Sequence, residues 1–190
     1  MGLVKADYYF GAMLSQLINS GFAPAIFDES ESRRIYSLKN DLGTFQIYAK
    51  YRSEPNQTKG EKKKSKLWQF KFSPEEIEKI KEYDTTATVN QYFAFICGYE
   101  KVKGGEIAIL SLDELKACLD IAHDRPSYRL TVKAVKGSPY LSAYGTGLAD
   151  KKEDKDTTIK IERDMKARLK MLSEVTANGA YVEQCMPIRQ

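Results

Sequence analysis

RRIYSLKNDLGTFQIYAKY, residues Arg33 to Tyr51, decides how this chain folds. Two runs rich in β-branched and aromatic side chains flank Asn40-Asp41-Leu42-Gly43. Asn, Asp and Gly tolerate the backbone angles that reverse a chain, so the pattern predicts a β-hairpin. In its second arm Phe45, Ile47 and Ala49 alternate with Gln46, Tyr48 and Lys50. Alternate residues of a strand share a face, which places Lys50 on the more polar side.

Upstream, Phe10, Met13, Leu14, Leu17 and Ile18 make one helical stripe over residues 7–20, stopped by Gly21. Residues 22–27 read as a short strand. Downstream, RSEPNQTKGEKKKSK (Arg52 to Lys66) lacks any large apolar side chain and reads as an exposed loop. LWQFKF alternates as a strand, and Ser73-Pro74-Glu75-Glu76 is a capping box that opens a helix to about Tyr83. The nearly continuous apolar run YFAFICGY, residues 92–99, marks a strand covered on both faces. A turn at Lys103-Gly104-Gly105 leads to a strand over 106–110, and Ser111 to Glu114 is a second box opening a helix through about Ala122. YRLTVKAV, residues 128–135, is a further strand, and 136–147, rich in Gly, Ser, Pro and Tyr, reads as an ordered loop. A charged linker over 150–156 then divides a domain at 1–149 from a helical appendage at 157–190. The appendage carries Ile161, Met165, Leu169 and Leu172 along one face of a helix over 159–175. Such a face either docks on the body or pairs with a second copy, making a homodimer. Alternation of strands and helices implies an α/β (α+β) fold with a mixed central sheet flanked by helices.

Composition narrows the function classes. The 190 residues carry a net charge of +4, which permits a polyanionic partner without requiring one. Three cysteines, Cys97, Cys118 and Cys185, show no CxxC spacing, which argues against a disulfide framework and structural zinc and for reduced thiols in the cytoplasm. No run approaches the roughly 18 apolar residues of a membrane span, and the start does not read as a signal peptide. His123 is the only histidine, with no partner pattern for nucleophilic catalysis, and Tyr144-Gly145-Thr146-Gly147 is too short for a phosphate-binding loop.

Residues 1–135 together resemble the PD-(D/E)xK, restriction-endonuclease-like nuclease superfamily. The resemblance rests on DYYFGAMLSQLINSGF as leading helix and RRIYSLKNDLGTFQIYAKY as the metal-site hairpin, followed by KLWQFKFSPEEIEKI, YFAFICGY and EIAILSLDELKACL. It implies carboxylates that hold Mg²⁺ beside a scissile phosphate, with a lysine two residues after the last of them. The matching triplet here is Tyr48-Ala49-Lys50, so tyrosine stands at the acid position; Tyr36-Ser37-Leu38 replaces the aspartate-bearing segment, and the helix offers Tyr9 or Met13.

Three functions follow as expectations. The first is a nucleic-acid-binding protein, DNA foremost, with a degenerate site, serving a defence or mobile-element system by analogy with the superfamily. The second is an active Mg²⁺-dependent endonuclease using Lys50 with Asp41 as a displaced metal ligand. The third is an interaction module that dimerises through its last helix. The binding residues would be Arg52, Lys59, Lys62, Lys63, Lys64 and Lys66, because mobile cations contact phosphates. Trp68, just after them, either stacks on a base or fills the core. The deciding geometry is whether a carboxylate lies within about 5 Å of the Lys50 ammonium.

Overall fold

The computed structural model describes residues 2–29, 33–40, 43–56, 65–85, 89–99, 104–149, 158–172 and 174. Helix α1 (Lys5–Asn19) leads into a three-stranded antiparallel ribbon, β1 (Ala25–Glu29), β2 (Arg33–Asn40) and β3 (Gly43–Arg52). Arg33 pairs with Lys50 and Asn40 with Gly43, the register that the hairpin pattern predicts. The chain then forms β4 (Ser65–Phe72) and α2 (Pro74–Thr85) before returning as β5 (Asn90–Cys97), parallel to β3. An antiparallel β6 (Glu106–Ser111) completes a mixed sheet of order β1-β2-β3-β5-β6. The expected mixed sheet flanked by helices is present.

A second sheet lies beyond that expectation. It has four antiparallel strands in the order β4-β7-β8-β9, with β7 at Tyr128–Val135, β8 at Tyr140–Gly145 and β9 at Ile159–Glu162. Helix α3 (Leu112–Leu119) links β6 to β7, and the short α4 (Thr146–Ala149) follows β8. The segment read as a loop is thus β8 and α4. Its alternation, with Leu141 and Ala143 inside and Tyr140 exposed, is hidden under a glycine- and tyrosine-rich composition. The helix expected from residue 159 begins instead as β9, and the helical turns occupy 165–172.

The central sheet is buried on both faces, which is why β5 is an unbroken apolar run. Tyr92, Ala94 and Ile96 point into one cluster with Phe45, Ile47 and Ala49, closed by Phe10, Met13 and Leu17 of α1. Phe93, Phe95 and Cys97 point into the other with Trp68, Phe70 and Leu130 of the second sheet and Ile77 and Ile80 of α2. Each large side chain so enclosed contributes about 1.5–3 kcal/mol over its exposed state. The late segment joins both layers: Ile161 enters the second cluster, and Met165, Leu169 and Leu172 the first. Arg168, 2% exposed, donates to the Ile109 carbonyl at 3.0 Å and pairs with Glu114. The stripe that could have paired two copies is therefore covered by the chain's own core. Among the described residues no helix is long and apolar enough to cross a membrane.

Candidate functional site: the Lys50 cluster and an adjoining cleft

Lys50 lies near the end of β3 on the same face as Tyr48, and that face is roofed by the start of α2. The roof is set by local sequence. Ser73 caps the helix, accepting from the Glu76 amide at 3.3 Å, and Glu76 reaches back to the Ser73 amide at 2.8 Å. This reciprocal box fixes the Glu76 carboxylate over the sheet. The Lys50 ammonium enters it, donating to the two carboxylate oxygens at 2.7 and 2.8 Å and to the Lys71 carbonyl at 2.7 Å. It also lies 5.0 Å from the centre of the Phe72 ring. The Tyr48 hydroxyl donates to the same carboxylate. Lys50 and Glu76 side chains are each only 13% exposed, so the more polar side of β3 is covered at Lys50.

Electrostatics fix the charge states. Burial works to raise the Glu76 pKa, but hydrogen bonds from Lys50, Tyr48 and the Ser73 amide, with the Lys50 charge, hold it below the usual carboxylate range. Burial, reinforced by the bond to Glu76, pushes the Tyr48 phenol well up, so it stays a neutral donor. A carboxylate does lie within reach of Lys50, yet it comes from α2 and not from the hairpin.

These residues do not fit a divalent cation. Mg²⁺ needs several oxygen ligands in an octahedral shell. Both oxygens of Glu76 are already taken by donors, a lysine ammonium stands where a cation would, and Tyr48 keeps its proton. Among the described residues no group of three His, Cys, Asp or Glu could hold a metal ion. Asp41, the expected displaced ligand, lies outside the described residues; within them the carboxylate that Lys50 meets is that of Glu76. Two acids near the ribbon are paired with arginines, Asp7 with Arg34 at 3.2 Å and Asp28 with Arg33 at 3.5 Å.

The expected phosphate contacts divide. Lys59, Lys62, Lys63 and Lys64 lie outside the described residues. Arg52 is exposed at the end of β3, and Lys66 holds its ammonium 3.4 Å from the centre of the Tyr99 ring. Trp68 is fully buried and donates its indole N–H to the Gly98 carbonyl at 2.6 Å, which places it in the core and away from any base. His123 contacts Asp120 at 2.8 Å beside the end of α3, where Asp120 takes a left-handed conformation (φ 53°) and also pairs with Arg125.

Gly98 also floors a cleft that the sequence reading missed. The cleft, of about 540 Å³, opens just past the carboxyl ends of the parallel strands β3 and β5. Diverging loops after parallel strands commonly leave such a crevice. Tyr8 and Tyr9 of α1 line it with Ala12, Gly98, Tyr99 and Glu106. Tyr9 is stacked on Tyr51 with ring centres 5.2 Å apart and donates to the Ser53 carbonyl at 3.1 Å. A Cβ on Gly98 would stand 2.5 Å from the Tyr9 ring and 2.7 Å from the Ser53 carbonyl oxygen, so only glycine allows this approach. The one local signal was the cluster of Gly98, Gly104 and Gly105 after an apolar strand.

No protein-family model matches the chain, and no curated protein does. Among solved structures it is similar to Hjc, a Holliday junction resolvase from Archaeoglobus fulgidus. That likeness covers 70% of this chain and 85% of Hjc at 14% identity and a TM-score of 0.42. At that distance the likeness assigns no residue a role.

Proposed function

We propose that this chain is a nucleic-acid-binding protein, acting on DNA foremost, with a restriction-endonuclease-like fold in which the hairpin lysine no longer serves phosphodiester cleavage. The observation that carries the second half is the closed Lys50–Glu76 pair: an ammonium locked to a carboxylate at 2.7 Å cannot orient a water or a metal. Binding is supported by surface cations and by the basic run of the sequence. Lys5 and Arg52 line the same surface recess. The sequence between Asn56 and Ser65 adds Lys59, Lys62, Lys63 and Lys64. Phosphate contacts of this kind supply affinity without sequence readout.

The test is fluorescence anisotropy with a labelled duplex in EDTA between 50 and 200 mM salt, beside a plasmid-nicking assay with Mg²⁺ or Mn²⁺. Binding should weaken steeply with salt, and Lys62→Ala/Lys63→Ala/Lys64→Ala should lower the log–log slope by about 2–3, at about 0.9 per phosphate contact. No nicking is expected. Failure to bind at the lowest salt overturns the binding assignment, and Mg²⁺-dependent nicking that disappears in Lys50→Ala restores the endonuclease with a relocated ligand such as Asp41.

A further inference from the structure

We propose that the tyrosine-lined cleft at the ends of β3 and β5 seats an unpaired nucleobase, so that the protein prefers single-stranded or locally opened nucleic acid over continuous duplex. The proposal rests on the reading of the chain as a nucleic-acid binder and names the part of the ligand this cleft takes.

Size and shape come first. A volume of about 540 Å³ lies within the 300–1,000 Å³ range of small-ligand sites, room enough for a base and its sugar. The interior offers flat surfaces. Tyr8 is 58% exposed on α1 and Tyr99 is 36% exposed, so both present ring area that the core does not cover. Tyr9 is held rigid by Tyr51 and Ser53, which removes the entropy cost of ordering that wall. The floor at Gly98 has no side chain, and a Cβ there would collide with Tyr9. Bare backbone beside aromatic rings is a stacking platform, and stacking tolerates any base because each has a π face.

Charge then sets the orientation. The cleft also contains Glu54 and Glu106, the latter paired with Arg163 at 3.1 Å. Carboxylates repel phosphate, so the backbone of a bound strand cannot enter. Lys5 lines the cleft, and Lys66 lies over Tyr99 with its ammonium 3.6 Å from where a Cβ on Gly104 would stand. The phosphates therefore run past these lysines while the base turns inward. Inside, the carboxylates can accept from exocyclic amino groups, which adenine, cytosine and guanine carry and thymine and uracil lack. A base still paired in a duplex cannot reach the cleft without being unstacked, which costs a few kcal/mol.

The experiment compares three labelled probes in EDTA at fixed salt. They are a 20-nucleotide mixed-sequence single strand, the same strand with tetrahydrofuran abasic units in place of its nucleosides, and the matching duplex. The intact strand should bind roughly tenfold or more tighter than the abasic strand, the scale of one or two stacked bases. Tyr8→Ala, at an exposed helix position, and Ala12→Phe, which fills the cleft from the same helix, should each bring the intact strand down to the abasic affinity. Circular dichroism and the emission of Trp68, the sole tryptophan, check that both variants fold. If the abasic strand binds as well as the intact one, or folded variants keep the full difference, the cleft proposal is overturned while nucleic-acid binding stands. If none of the three probes binds, the underlying reading fails and this proposal with it.

Discussion

Breaking the Lys50–Glu76 pair should destabilise the protein. Glu76 receives Lys50 on both oxygens, the Tyr48 hydroxyl and the Ser73 amide. Lys50→Met keeps the aliphatic stem and strands that carboxylate beneath α2. Removing one partner of a fully buried ion pair costs about 3–5 kcal/mol. Each side chain here is 13% exposed and two donors to Glu76 remain, which lowers the expected loss to about 2–3 kcal/mol. Glu76→Leu strands the ammonium and also removes the reciprocal cap of α2, itself worth about 1 kcal/mol, for about 3–4 kcal/mol in all. The double variant replaces both charges by apolar groups and should cost less than either sum implies, giving a coupling energy of about 2 kcal/mol or more. Urea titration followed by Trp68 emission measures the three midpoints. The pH dependence has a definite sign. Glu76 has its pKa depressed in the folded state, so its contribution is complete above the ordinary carboxylate value of about 4.3 and fades as pH falls through its lower native value. The stability gap between the natural protein and Glu76→Gln should therefore stay constant from pH 8 to 5 and close in more acidic solution. A coupling below about 0.5 kcal/mol, within ordinary additivity error, would refute the structural reading of Lys50.

Two further outcomes follow from packing. Gly145→Ala places a Cβ against the Cys118 carbonyl oxygen and 2.7 Å from that of Arg129, both backbone atoms, so it should cost about 2–3 kcal/mol in the same urea assay. Native thiol titration with a disulfide reagent at pH 8 should modify no more than one of the three cysteines. Burial, with the Glu106 charge, holds the Cys97 thiol well up, and burial with the Glu114 charge pushes Cys118 up to about 12; both should react only on unfolding.

What the sequence made legible was local and periodic. The hairpin register followed from Asn40 and Gly43, and the face made by Phe45, Ile47 and Ala49 is the one that meets α1. Both capping boxes and the doubly covered β5 were equally plain. The second sheet was not, because β4 stands between β3 and β5 in sequence but pairs with β7, over fifty residues later. No local pattern encodes a strand's partner. In the same way, alternation showed that Lys50 shares a face with Tyr48 but not what covers that face. Four residues, Ile159 to Glu162, are too few to tell a period of two from one of 3.6, so β9 read as the start of a helix. The cleft was invisible because Tyr8, Ser53, Tyr99 and Glu106 come from four separate stretches.

One regularity nonetheless joins the legible part to the hidden part. Both Ser-x-x-Glu boxes hold a distant cation: Glu76 takes Lys50 from β3, and Glu114 takes Arg168 from the late helical turns. The shared cause is entropic. A free glutamate gives up about 1.5–2 kcal/mol of rotamer freedom when it is ordered, and much of that loss has already been met in a box by the bond to the cap amide. An incoming lysine or arginine then gains a fixed acceptor at lower cost than an unconstrained carboxylate would offer. At Lys50 the box on α2 supplies that fixed acceptor. The ammonium from β3 and the Tyr48 hydroxyl both meet this one anion, and together they tie the sheet to the helix above it.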